Sequence, residues 1–162
     1  MKPVIGIVAA LLDGVHIEPA GPPMTYLGVA EAMLPGLRVL ASPPTASPMA
    51  LCLVAAHILE CLLKASLTRR QSNEQAKAAA EKEVMEAGNR HNLDWLWREA
   101  VQRGLAISLA PPAWVQRLAE VHGKPFYLRY STDIHAVVLP AAEPMATELA
   151  TLASLVRDQV TQ

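Results

Sequence analysis

One stretch limits the folds open to this chain: Ser47 to Leu67, SPMALCLVAAHILECLLKASL, long and almost wholly apolar. It is long enough for five to six helical turns at about 3.6 residues each. Ser47 is placed to cap the first turn, and Pro48 suits the first helical position. Leu51, Val54, Ala55, Ile58, Leu59, Leu62 and Ala65 cover most of the circumference, the pattern of a helix wrapped by neighbours. A single stripe breaks it. His57, Glu60, Cys61 and Lys64 stand at i, i+3, i+4 and i+7 and share one face.

A central helix of this kind needs partners. With 162 residues, 52% apolar and 18% charged, the chain can supply them from a single helical domain over 1–162. The formal charge of -1 gives no basic field of the sort that dominates nucleic-acid binding, so any RNA contact would be local. No membrane span is expected either, because the central apolar run is only about 13 residues and holds His57 and Glu60. Cys52 and Cys61 lie about 13 Å apart along a helix axis, too far for a disulfide, which suits a reducing cytoplasm. The N-terminal MKPVIGIVAALL has the charge and apolar run of a short signal peptide. Asp13 follows directly, with no small-x-small cleavage site, so an opening strand or short helix is expected in a cytoplasmic protein.

Residues 1–22 are weakly defined. Met24 to Leu34 has helical spacing, with Pro35-Gly36 as its expected stop, and 41–48 reads as a proline-rich link. Ser72 to Gln75 fits a capping box for a mostly exposed helix over 74–87. Asn92 caps an amphipathic helix with Leu93, Leu96, Trp97, Ala100 and Val101 inward and Trp95 off that stripe; Gly104 ends it. Pro111-Pro112 starts another, with Trp114, Leu118 and Val121 inward. From Phe126 to Val138 apolar residues alternate, as in a short hairpin or an irregular arm. A last helix begins at Pro144, with Met145, Leu149, Leu152, Val156 and Val160 inward. The fold class is therefore all-α, a single bundle of five to six helices with that arm before the last one.

The order of pieces resembles the HEPN superfamily, small helical bundles of bacterial defence, toxin–antitoxin and signalling systems. The likeness runs over about 24–160. It rests on His57, Glu60, Leu62, Leu63, Lys64 and Ala65 in one helix, on His91-Asn92-Leu93 with Leu96-Trp97 after a polar helix, and on Leu128-Arg129-Tyr130. The resemblance implies a cytoplasmic bundle that commonly pairs as a homodimer, in some members beside a nucleotidyltransferase. Some members are metal-independent ribonucleases that use an arginine and a histidine four to six residues later; others are binding modules.

Two spacings fit that arginine–histidine pattern. Arg117 and His122 would point about 140° apart on a helix, a poor arrangement for joint action. Arg129 and His135 would face each other across the hairpin. There His135 could act as general base on a ribose 2′-hydroxyl and Arg129 could steady the phosphorane charge. Both departures from the family pattern, Leu118 and Tyr130 after the arginines, weigh toward ordinary exposed residues. The central stripe is the other candidate, a ligand-binding or structural polar cluster of His57, Glu60, Lys64 and His91. His57 and Cys61 could hold a metal with Glu60 and a distant His91, but without a CxxC or clustered histidines no metal is expected. The simpler expectation is that Glu60 pairs with Lys64 and that His91 ties the 88–92 loop to the bundle. No cofactor motif is present, neither phosphate loop nor dinucleotide fingerprint. The expected function is a non-catalytic interaction module, with a metal-independent ribonuclease as the alternative.

Overall fold

Twenty consecutive residues with apolar groups on nearly every face form one helix, and the other helices pack around it. The computed structural model describes residues 21–42, 47–69, 73–86, 88–123, 128 and 138–162. Over these the protein is all-helical, with no strand: α1 Met24–Ala41, α2 Pro48–Leu67, α3 Glu74–Met85, α4 Leu93–Gln102, α5 Ala113–His122 and α6 Ala142–Thr161. Helix α2 touches each of the other five, most extensively α1, then α6 and α4. By length and composition α2 could cross a membrane, but 78% of its apolar window is buried within the bundle. Every residue from Ile58 to Thr68 is buried. Ser47 caps it as expected, its Oγ accepting from the Ala50 N–H at 3.4 Å.

Helix α1 runs past its expected stop. Pro35 sits inside it and the chain stays helical to Ala41. An internal proline removes one ladder bond and costs a helix about 3 kcal/mol. Leu37, fully buried against the core, gains up to about 3 kcal/mol by its burial, and ending the helix at Leu34 would forfeit that. Tertiary packing here overrides the local signal.

The α3 start lies one residue beyond the expected cap: Asn73 accepts from the Ala76 N–H at 2.8 Å, and the helix stops at Met85. Only Ala80 and Val84 are buried in it, so it is the exposed helix the composition predicts. Asn92 caps α4 through the Trp95 N–H at 3.1 Å. Leu93, Leu96, Trp97 and Ala100 are buried, and Trp95 is half-buried against the core. Helix α4 closes in a Schellman turn: Leu105 N–H bonds Ala100 C=O at 2.8 Å and Gly104 N–H bonds Val101 C=O at 2.9 Å. Gly104 has φ +91, and a Cβ there would also lie 3.3 Å from the Arg69 guanidinium. The buried stripe of α5 is Val115, Leu118, Val121 and His122. Trp114, expected inward, is half-buried on its edge, its indole N–H donating to Glu148 at 2.6 Å. All five expected inward residues of α6 are buried. The hairpin reading of 126–138 falls outside the described residues except for Leu128, which is buried and donates its N–H to Val121 C=O at 3.2 Å, and exposed Val138.

Because Leu62 is fully enclosed, Leu62→Ala is expected to lower unfolding free energy by about 2–5 kcal/mol. Met85, 52% exposed, provides the comparison: Met85→Ala should cost far less in the same denaturant titration. Equal losses would mean that α2 is not the enclosed helix.

Candidate functional site: a buried carboxylate held by two histidines and a lysine

Glu60 lies in the most enclosed part of α2 and is only 4% exposed. A carboxylate removed from water must have its oxygens bonded, and three side chains do this. Lys64, one turn on in α2, donates its Nζ to Oε1 at 2.8 Å. His91, from the turn before α4, has Nδ1 at 3.0 Å from Oε2. His122, the last residue of α5, has Nε2 at 3.2 Å from the same oxygen. The two rings meet edge to face, with centroids 6.0 Å apart. The distances require a proton on each ring nitrogen that faces the carboxylate, which makes both histidines donors to one oxygen.

Lys64 is as deeply buried as Glu60, and the Tyr26 ring of α1 lies under its ammonium, 5.8 Å from Nζ to the centroid. The tyrosine hydroxyl in turn reaches the Met85 sulfur at 3.4 Å. Burial pushes the Glu60 carboxyl up. The bonds from His122, His91 and Lys64, together with the lysine's charge, outweigh it and hold the group down at about 2. The same burial, with the Glu60 charge beside it, pushes the Cys61 thiol up to about 12, and burial pushes Cys52 to about 11. Neither thiol is set up as a nucleophile.

The predicted members of the stripe separate. Glu60, Lys64 and His91 come together, and His91 ties its turn to the bundle as expected. His57 does not join them. It is exposed, one turn before Glu60, and its Nε2 is 3.9 Å from the Cys61 sulfur. His122 takes its place. The sequence carried a signal for it: Val115, Leu118 and His122 stand at i, i+3 and i+7 on one face of α5, so that histidine faces inward. As the helical spacing implies, it stands apart from Arg117, which is exposed and bonds Glu120 at 2.7 Å. Arg129 and His135 lie outside the described residues. A second buried-edge network, Arg103 bonding Glu83 and Glu99 at 2.7 and 3.1 Å, fastens α3 to the end of α4.

The depressed carboxyl has a pH consequence. A group held at about 2 when folded, against its ordinary 4.5, stabilises the fold fully above about 4.5, and that contribution is lost as pH falls toward 2. It is worth roughly 3 kcal/mol for a shift of this size. Denaturant titrations of the parent should therefore weaken between pH 5 and pH 2.5 (about these values) by more than those of Glu60→Gln. Parallel pH profiles for the two proteins would contradict the assignment. Compared with known proteins, the chain matches no family model, no curated protein and no solved structure.

Proposed function

We propose that this protein is a non-catalytic helical interaction module of HEPN type, acting as a homodimer or beside a protein partner such as a nucleotidyltransferase in a bacterial defence, toxin–antitoxin or signalling setting. The observation that carries this reading is an open groove of about 520 Å³ between α4, the 105–112 turn, α5 and the last helix. Half-buried Ile107, Pro112, Trp114 and Leu155 line it, over buried Trp97 and Leu152 and beside the polar Ser108, Glu148 and Thr151, so partly open apolar surface lies where a partner's side chains can cover it. Leu109, on the same turn, is 61% exposed. The indole N–H groups are already satisfied, Trp97 by Ser108 C=O at 3.0 Å and Trp114 by Glu148, which leaves the half-buried Trp114 ring for packing.

The favoured occupant is a second copy, seated across the last helix by a two-fold axis. Light scattering at micromolar concentration should give twice the chain mass of 17.4 kDa, and Leu155→Glu should shift the population toward single chains that remain helical. A parent protein of 17.4 kDa would refute the dimer. Purified protein should leave structured RNA intact in EDTA. Cleavage that vanishes in His135→Ala would replace this reading with the ribonuclease.

A further inference from the structure

We infer that Glu60, His91 and His122 form a binding site for one divalent transition-metal ion of the zinc class. One atom from each, a carboxylate oxygen and two imidazole nitrogens, lies within 4.8 Å of the others. Tetrahedral N and O ligands at about 2.0–2.2 Å from zinc stand roughly 3.4 Å from one another. Glu60 Oε2 is already 3.0 Å from His91 Nδ1 and 3.2 Å from His122 Nε2, close to that spacing, and the two ring nitrogens, which lie within 4.8 Å of each other, would draw together by up to about 1.4 Å to complete it. A carboxylate oxygen between two ring nitrogens is satisfied in one of two ways, by a proton on each nitrogen or by one cation shared among all three.

In the metal-free protein Glu60 holds the His122 proton on Nε2; with a metal on Nε2 the proton moves to Nδ1, which no described group bonds, and this lowers the affinity. His91 is 31% exposed at its side chain, which lets water serve its outer nitrogen. Each ring then presents the lone pair of its inner nitrogen to the cation and carries its proton on the outer nitrogen. The same exposure gives the ion access and leaves a fourth position for water. Lys64 fixes Oε1, so Glu60 would ligate through Oε2 alone, with the lysine as its outer partner. The ammonium also repels the ion, which places the affinity below that of an all-anionic site. Mixed nitrogen and oxygen donors select zinc, cobalt or nickel over magnesium and calcium. Occupancy would bolt α2, the turn before α4 and the end of α5 together at one point, independently of whether the outer groove binds a partner.

Cobalt(II) tests the site, because bound cobalt absorbs in the visible and zinc displaces it. The full chain should take up one equivalent of Co²⁺ with the intense bands of four- or five-coordination, and Zn²⁺ should bleach them. His91→Ala, whose side chain is partly exposed, should lose more than the roughly 10- to 100-fold in affinity that loss of an outer partner costs. His57→Ala should bind like the parent. If His91→Ala does not fold, NMR of the cobalt-loaded parent decides: paramagnetic shifts should fall on the His91 and His122 ring protons and spare His57. No cobalt uptake by the parent, unchanged uptake in His91→Ala, or shifts centred on His57 would overturn the site.

Discussion

The bond set on the Glu60 carboxylate is the constraint around which the bundle is arranged. A negative charge near the middle of an enclosed helix would destabilise the fold by several kcal/mol if its partners were absent. Its three partners come from three places in the chain, four residues on in α2, 31 residues on before α4, and 62 residues on at the end of α5. Meeting them therefore fixes where α4 begins and where α5 ends relative to α2. Apolar packing alone tolerates sliding between helices; a shared oxygen at 3.0 and 3.2 Å does not.

The rest of the molecule follows from enclosing that helix. Helices α1 and α6 cover one side of α2 with Leu27, Leu37, Leu149 and Val156, and they hold each other through Arg157 and Glu31 at 2.6 Å. Helices α4 and α5 cover the side that carries Glu60. Helix α3, with two buried residues, adds little core and is fastened at its end by Glu83 to Arg103. The demand for enclosure also explains the run of α1 through Pro35: a full-length wall over α2 outweighs one missing backbone bond.

Much of this was legible in the sequence because periodicity and caps are local. The wrapped apolar character of α2, the Asn92 cap, the five inward residues of α6 and the pairing of Glu60 with Lys64 all need only neighbours within a few turns. His91 was expected to tie the 88–92 loop to the bundle, but nothing in the sequence names Glu60, 31 positions earlier, as the group it bonds. His122 was harder. Its inward position is visible on the α5 stripe, but its contact with a residue 62 positions away depends on how two helices cross, which no local spacing states. Trp114 was misplaced for a related reason: its indole has a polar end, and Glu148 on α6 draws that end to the edge of the groove. His57 shares a helical face with Glu60 on paper, yet one turn of offset is enough to leave it in solvent while Glu60 is covered.

Amide hydrogen exchange on Glu60→Ala beside its parent tests the central claim most directly. Loss of the carboxylate should open the two elements it holds. The Asn89, Arg90 and Asn92 amides of the turn, and the Gly123 and Leu128 amides at the end of α5, should lose protection, while α1 and α6 keep theirs. Protection that falls evenly over the six described helices, or that does not change in the turn and at the end of α5, would show that apolar packing alone sets the arrangement.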